Sequence, residues 1–143
     1  MQTAGYLWIV CCLYYQSYKF LRIFQMENSK KYQIVSCSGA SNTGKFADEV
    51  ARQLSATGEA SMICLAKVAI GDQPLITQVK SQNSKIVVLD GCPINCAEKL
   101  LGREGINDII HINTTDFDIV KGKTPFSLEK ANEIVEHIKK ITQ

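Results

Sequence analysis

The chain has 143 residues, 45% of them hydrophobic and 21% charged, which is enough to bury one core without disulfide bonds. Its 16 basic and 14 acidic residues nearly balance, and this excludes the clustered Lys and Arg typical of proteins that bind nucleic acid or acidic membranes. Six cysteines without the loop-rich composition of a small secreted protein indicate a reducing compartment, and we expect a cytoplasmic protein.

The first 25 residues differ from the rest of the chain. Lys19 and Arg22 are the only charged residues before Met26, and twelve mostly apolar residues precede them in one run. That run is shorter than the roughly 20 residues that span a bilayer, and it lacks the leading positive charge of a secretory signal. We therefore predict an apolar extension, 1–25, and a domain, 26–143. The extension either does not belong to the native protein, which we favour, or forms a membrane anchor.

A strand and a helix open the predicted domain. The apolar run Tyr32–Ser36 predicts a buried strand, and apolar residues then recur at helical spacing from Gly44 to Leu54. Gly58 provides an end for this helix. Residues that commonly cap helices precede it: Ser41, Asn42 and Thr43.

The next segment continues the alternation of strands and helices. We predict a second strand at 61–65, then a loop that contains Gly71 and Pro74. A short helix at 75–80 and a third strand at 85–89 follow.

The last third of the domain has the same pattern. Pro93 suits the first position of a helix, a fourth strand is predicted at 108–112, and a final helix starts near Ser127. The apolar stripe of that final helix consists of Leu128, Ala131, Ile134, Val135 and Ile138. Strands alternating with helices predict an α/β fold: a three-layer, doubly wound, mostly parallel sheet of about four strands in the order 2-1-3-4, with helices on both faces.

Four cysteines follow the predicted strands. Cys37, Cys64 and Cys92 each come at or just after the end of a strand, and the carboxyl ends of parallel strands meet at one edge of the sheet. Cys96 returns to the same edge if the helix begins at Pro93. Soft thiolates select zinc, copper(I) or iron–sulfur clusters, and four of them suit a tetrahedral zinc ion. We therefore predict that these four cysteines bind zinc.

The residues around these cysteines resemble a known family. Segment 90–97 reads DGCPINCA and is similar to the signature of the DGC domain family. Segments 37–44 (CSGASNTG), 62–66 (MICLA) and 121–125 (KGKTP) are similar to other family segments in the same order, so that the resemblance covers nearly all of 32–126. It implies a zinc site made by the four cysteines. Whether that zinc is structural or functional, and whether the protein is an enzyme, is left open.

A glycine-rich turn nearly spells a phosphate-binding P-loop at 39–46. Phe46 stands where a Ser or Thr hydroxyl would hold Mg²⁺, which disfavours a conventional nucleotide hydrolase. Backbone N–H groups of such a turn can still bind an anion, and we expect a small anionic ligand beside the metal. The residues of this predicted anion-binding turn are Gly39, Ser41, Asn42, Thr43 and Gly44.

Thiol chemistry offers the main alternative to zinc binding. Cys92 and Cys96 near a helix start would suit thiol–disulfide exchange, which is our second interpretation. A phosphatase loop is excluded, because it needs an Arg about six residues after the nucleophilic Cys37 and Thr43 stands there.

Other polar residues near the predicted edge have more than one interpretation. His111 serves as a fifth ligand or base, or as a hydrogen-bonded strand residue, and we favour the second. Asp90 orients a ligand, holds the turn at Gly91 or caps the following helix. Three lysines either face the crevice or are solvated: Lys45, Lys121 and Lys123. The oligomeric state is not predicted.

Overall fold

The structure is a computed structural model that describes residues 31–37 and 39–143. The predicted extension, 1–25, and its boundary with the domain lie outside the described residues, so the division of the chain stays a prediction. In the part of the chain that the structure describes, no helix combines the length and apolarity needed to cross a membrane.

A four-stranded parallel sheet forms the centre of the domain, in the predicted order β2-β1-β3-β4. The strands are β1 (Tyr32–Ser36), β2 (Ala60–Met62), β3 (Lys85–Asp90) and β4 (Ile110–Asn113). Ser36 pairs with Leu89, and Asp90 pairs with Asn113. The strand register therefore brings the carboxyl ends of β1, β3 and β4 to nearly the same level of the sheet.

Helices cover both faces of the sheet. They are α1 (Asn42–Ala56), α2 (Leu65–Ala69), α3 (Gln73–Ser81), α4 (Cys96–Arg103), a 3₁₀ helix (Thr114–Phe117) and α5 (Leu128–Thr142). Apolar residues of α1 and α5 pack on one face, and those of α2, α3 and α4 pack on the other. The predicted three-layer α/β fold is confirmed.

Strand β1 illustrates how the sheet supplies both halves of the core. Tyr32 and Ile34 face α1 and α5, whereas Val35 faces the opposite helices. Alternate side chains of a strand point to opposite faces, so a strand covered on both sides must be apolar on both. Gln33 is the polar exception, and its buried amide is satisfied because it donates to the Val79 carbonyl at 3.3 Å.

Helix α1 begins at Asn42, with Ser41 as its N-cap, because the Ser41 hydroxyl accepts a hydrogen bond from the Gly44 N–H at 3.2 Å. The helix ends at Ala56, and Gly58 with φ of 80° turns the chain away, as predicted. Its buried face consists of Phe46, Ala47, Val50, Ala51 and Leu54.

The second strand is shorter than predicted. β2 ends at Met62, whereas the prediction extended the strand to Leu65, which is the first residue of helix α2. The Cys64 carbonyl accepts the Lys67 N–H at 3.1 Å and thereby starts this helix. Cys64 therefore lies in a connection between β2 and α2, and not at the end of a strand.

The predicted helix start at Pro93 is wrong. Residues 92–95 form a turn in which the Asn95 N–H donates to the Cys92 carbonyl at 3.0 Å, and Asn95 is left-handed with φ of 55°. Helix α4 begins only at Cys96. The physical reason is a cap supplied from β3, because the Asp90 carboxylate accepts the Ala97 N–H at 2.9 Å.

Two smaller differences concern the end of the chain. Strand β4 runs Ile110–Asn113, two residues later at its start than predicted. Helix α5 begins after Ser127 as expected, but Leu128 is 60% exposed and does not belong to the core. The remaining residues of the predicted stripe are buried: Ala131, Ile134, Val135 and Ile138.

Candidate functional site

Three of the four predicted metal ligands lie in the connections that follow β1 and β3, at the carboxyl edge of the sheet. Cys37 follows β1 directly, and its N–H continues the β1–β3 ladder by donating to the Leu89 carbonyl at 2.9 Å. Cys92 and Cys96 lie close enough to Cys37 for their charges to affect its ionisation. We call these three residues the thiol cluster. Within the described residues all four cysteines are free thiols.

The environment of Cys37 opposes its ionisation. Burial raises the pKa of the Cys37 thiol above its ordinary value, and a backbone hydrogen bond from Gly91 acts in the opposite direction. The charges of Asp90, Cys96 and Cys92 raise the pKa further. Without a cation to offset these negative charges, Cys37 keeps its proton to higher pH than an exposed cysteine.

The turn 92–95 sets the spacing between Cys92 and Cys96. The Asn95 amide donates to the Glu98 carboxylate at 2.8 Å, and Asn95 Oδ1 accepts from the Asn113 amide at 3.1 Å. These contacts fix the left-handed Asn95 between β4 and helix α4. Cys92 and Cys96 are therefore joined by a non-helical turn, and not by the helical turn that the sequence predicted.

Asp90 is the buried anchor beneath the thiol cluster. Its carboxylate accepts the N–H groups of Ala97 and Glu98 at 2.9 and 3.1 Å, and its Oδ2 lies 3.1 Å from His111 Nε2. Asp90 is fully buried, and these partners satisfy its charge. The structure therefore supports the cap interpretation of Asp90 and the hydrogen-bonded interpretation of His111.

Gly44 and Gly91 bring their backbones into contact at the carboxyl edge of the sheet. A Cβ at Gly91 would lie 2.7 Å from Gly44 N, and a Cβ at Gly44 would lie 2.8 Å from Gly39 N. Only glycine allows helix α1 and the β3 connection to approach this closely. The Thr114 hydroxyl reinforces the approach by donating to the Gly91 carbonyl at 3.0 Å.

Lys121 contacts the thiol cluster. Its Nζ donates to Cys92 Sγ at 3.4 Å, so that the structure places a positive charge beside one predicted ligand. Asn42 holds the loop that carries this lysine: its amide donates to the carbonyls of Val120 and Thr124 at 3.0 and 2.7 Å, and its Oδ1 accepts the Gly122 N–H at 2.7 Å. Asn42 therefore acts as a clamp on the loop.

The other two candidate lysines do not contact the thiols. Lys45 is exposed and lies over the Phe126 ring, 4.5 Å from its centroid, and Lys123 is also exposed. In the predicted anion-binding turn, Ser41 Oγ lies 2.9 Å from Thr43 Oγ1, and Thr43 is buried. Anion binding by this turn stays a prediction.

Cys64 does not belong to the thiol cluster. It is exposed and lines an open cleft of about 360 Å³ between helix α1 and the β2–α2 connection. The lining residues are Ser36, Asp48, Arg52, Met62, Ile63, Cys64, Leu65 and Ala66.

The four cysteine thiols are chemically suited to zinc, but their side chains are not arranged to bind it. Thiolates are soft ligands that zinc prefers, and three of the four cysteines lie in connections at one edge of the sheet. Among residues 31–37 and 39–143, however, no three His, Cys, Asp or Glu side chains are grouped closely enough to hold a metal ion as they stand. Side-chain rotation in the thiol cluster and an approach of Cys64 are needed to complete a four-thiolate site.

Sequence reasoning missed the contacts that come from distant segments. It treated Asn42 as a helix cap or anion ligand and left Lys121 undecided, because neither contact has a local sequence signal. It also gave no functional role to Ser36 or Arg52. The spacing of Asp48 and Arg52 does favour an i,i+4 ion pair on a helix, and that signal was available.

Comparisons with known proteins agree with the resemblance seen in the sequence. The DGC domain matches residues 33–138. The chain is similar to the anaerobic and virulence modulator AnvM of Pseudomonas aeruginosa, with 32% identity over 88 residues that cover 62% of this chain. The chain covers 66% of the length of AnvM, just under two thirds. No solved structure matches it.

Proposed function

The chain belongs to the DGC domain family, and from this membership and its thiol geometry we propose that it binds zinc through Cys37, Cys64, Cys92 and Cys96. The observation that carries the proposal is the thiol cluster. Its three cysteines come from two connections at the level of the carboxyl ends of β1 and β3, the place where α/β proteins bind ligands, and this position supports the proposal.

Electrostatics favours a cation at this edge. The negative charges of Asp90, Cys96 and Cys92 all oppose ionisation of Cys37, and a bound zinc ion would reverse that balance. Four thiolates outweigh the charge of one zinc ion, which leaves a net negative site. The Lys121 ammonium group, already beside Cys92, compensates part of that excess.

Cys64 is the ligand that must approach the others. The β2 ladder ends where the Ile63 N–H donates to the Ile34 carbonyl at 2.8 Å, and Cys64 is the first residue beyond that bond. It is exposed, and its neighbour α2 has only five residues. Rearrangement here disturbs fewer buried contacts than it would at β3, where the side chains from Ile86 to Asp90 are buried.

Zinc in such a site would act as a Lewis acid if a ligand replaced one thiolate, or as a cross-link between the strand ends if none did. We favour a site that is not needed for folding. The domain buries an extensive core on both faces of the sheet, whereas small zinc domains unfold without metal because they lack one.

Elemental analysis of the full chain purified without added metal tests the proposal. We expect about one zinc per chain, because four thiolates complete a tetrahedral shell. Serine at Cys92 or Cys96 should abolish stoichiometric zinc and leave the far-UV circular dichroism unchanged. Iron instead of zinc, or wild-type protein that contains no metal after purification under reducing conditions, contradicts the proposal.

A second function is favoured by the short turn between Cys92 and Cys96. Both are free thiols at one turn, and no complete set of metal ligands is grouped among the described residues. A protein that exchanged a disulfide here would be metal-free and would carry a Cys92–Cys96 bond after mild oxidation. Mass spectrometry of a proteolytic digest, with and without reductant, distinguishes this function from zinc binding.

A further inference from the structure

The cleft beside Cys64 has the features of a small-molecule site that the zinc proposal does not use. It has a volume of about 360 Å³, within the range of ligand sites, and lies between helix α1 and the β2–α2 connection. Met62 and Leu65 are apolar residues of its lining, whereas Ser36, Asp48 and Arg52 are polar.

Ser36 is the polar group at the base. Its side chain lines the cleft and is only 2% exposed, and its Oγ has no hydrogen-bond partner among residues 31–37 and 39–143. A buried hydroxyl without a partner costs free energy, so this atom favours a ligand that brings a hydrogen-bonding group.

An ion pair stands at the rim. Arg52 Nε donates to Asp48 Oδ2 at 2.7 Å, one helical turn apart on α1, and the Arg52 side chain is 64% exposed. The pair leaves the other N–H donors of the exposed guanidinium free for a carboxylate, and Asp48 lies beside it for an ammonium group. An amino-acid headgroup has both.

Cys64 supplies a reactive group on the same cleft. It is an exposed free thiol in the lining of the cleft, outside the thiol cluster. An accessible thiolate attacks a disulfide sulfur, and its rate depends on how well the disulfide is positioned. A ligand seated with its headgroup on Arg52 and Asp48 would extend toward Cys64.

We propose that this cleft accepts small disulfides of amino-acid-type thiols and that Cys64 forms a mixed disulfide with them. The Cys64 thiolate attacks one sulfur of the disulfide, a new S–S bond forms, and the old S–S bond breaks. The second half of the disulfide leaves as a thiolate, which takes up a proton from water. The incoming disulfide is the oxidant, so electrons balance without another reagent.

The mixed disulfide would also affect the proposed zinc site. A modified Cys64 is no longer a thiolate ligand, so modification and four-thiolate zinc binding exclude each other. The cleft chemistry does not depend on zinc, however. Metal content and modification are measured separately, so the failure of one proposal is distinguishable from the failure of the other.

Two disulfides of opposite charge test the inference. The purified full chain, as isolated and after chelation, is reacted with oxidised glutathione or with cystamine, and each cysteine is followed by mass spectrometry. Exposed Cys96 serves as the internal reference. We expect Cys64 of chelated protein to prefer glutathione over cystamine by about threefold to fivefold relative to Cys96, the effect of one exposed ion pair.

Two variants sharpen the test. Arg52→Gln leaves Asp48 unpaired at the rim, so the preference of Cys64 should disappear or reverse while that of Cys96 stays unchanged. Ser36→Ala should slow the glutathione reaction of Cys64 without destabilising the fold, because it removes an unsatisfied hydroxyl. Equal preferences at Cys64 and Cys96 in the wild type, or no effect of Arg52→Gln, would overturn the inference.

Discussion

The carboxyl edge of the sheet has two halves that are built differently. At the central half, around β1 and β3, glycine backbones touch, a buried carboxylate caps α4, and Asn42 clamps a distant loop. At the outer half, a three-residue strand leads into a five-residue helix beside an open cleft. The central half carries three of the cysteines on closely packed backbone, whereas the fourth lies in the outer half beside the cleft.

The central half therefore contributes more to the stability of the fold, and the outer half more to the binding of ligands. Close backbone contacts leave little freedom, so the thiol cluster can be ordered before any ion arrives. The outer half has few such contacts and can adapt to a metal or a small molecule at modest cost. Substitutions at the centre should therefore cost more stability than equivalent substitutions at the outer half.

The largest effect is expected for Gly91→Ala. The new methyl group would meet the Gly44 backbone at 2.7 Å, and overpacking against backbone should lower the free energy of unfolding by about 2–4 kcal/mol. Chemical denaturation measures the change. The control is Gly102→Ala in helix α4, where the nearest atom is 3.7 Å away and alanine should stabilise the helix by about 0.5–1 kcal/mol. Equal effects of the two substitutions would show that the central half is not tightly packed.

The helix caps of the two halves provide the next comparison. Asp90→Asn leaves fewer acceptors for the Ala97 and Glu98 N–H groups and weakens the contact with His111, so we expect a loss of about 1.5–3 kcal/mol. Asp72, which caps α3, is only partly buried, and Asp72→Asn should cost clearly less. If Asp72→Asn costs as much as Asp90→Asn in urea unfolding, burial does not set the difference.

The pH dependence of the outer cap has a definite sign. The Leu75 N–H holds the pKa of Asp72 below its ordinary value, and the nearby Lys67 ammonium lowers it further. The contribution of Asp72 is therefore present above the ordinary pKa and disappears as pH falls through the lowered value. The difference in stability between wild type and Asp72→Asn should shrink in acid, as measured by unfolding at a series of pH values.

The Asn42 clamp should have an intermediate effect on stability and a specific effect on the site. Asn42→Ala removes three hydrogen bonds to the loop that carries Lys121, and we expect a loss of about 1–2 kcal/mol. Asn83→Ala on the exposed α3–β3 connection is the control and should change stability by less than about 0.5 kcal/mol. Zinc affinity should fall in Asn42→Ala, since Lys121 is no longer held beside Cys92. Unchanged affinity would mean that Lys121 does not contribute to the site.

The smallest effect is expected for the Cys37 thiol of the metal-free protein. Burial raises the pKa of Cys37, so its alkylation should reach half of its maximal rate at a higher pH than that of a free cysteine model thiol. Because the native state retains the Cys37 proton, stability contributed by this group falls as pH rises above the ordinary thiol pKa. Site-resolved alkylation across a pH series checks the order, and a reversed order would contradict the assignment of Cys37 to the more closed half.

Periodicity was sufficient to predict the sheet and its strand order. Apolar strands separated by amphipathic helices leave few arrangements, and the crossover rule reduces these further. The wrong predictions occur where a contact with a distant residue determines the start of a helix or the burial of a side chain. Pro93 suits a helix start, but the helix begins three residues after it, at Cys96. Asp90 caps the helix at that point, and this cap is available only once the β3–α4 connection has folded. Leu128 continues an apolar stripe, yet the first turn of α5 extends beyond the core.

The part of the candidate site that lies directly after the strands was predictable, because the ends of parallel strands share one edge of the sheet. Cys37 and Cys92 follow β1 and β3, and the parallel register brings them together. The separate setting of Cys64 was not predictable, because it depends on β2 ending at Met62 and on the packing of α1 against the connection. The clamp by Asn42 joins segments about 80 residues apart, a contact without any local pattern.

Zinc protection of individual cysteines tests the central claim most directly. Reduced, metal-free full chain is mixed with one equivalent of zinc, and the alkylation of each cysteine is followed by mass spectrometry. We predict that alkylation of Cys37, Cys64, Cys92 and Cys96 slows together by roughly tenfold or more, with protection lost as pH falls because the thiolates are protonated. Alkylation of all four cysteines at the same rate with and without zinc would contradict the claim that they form one metal site.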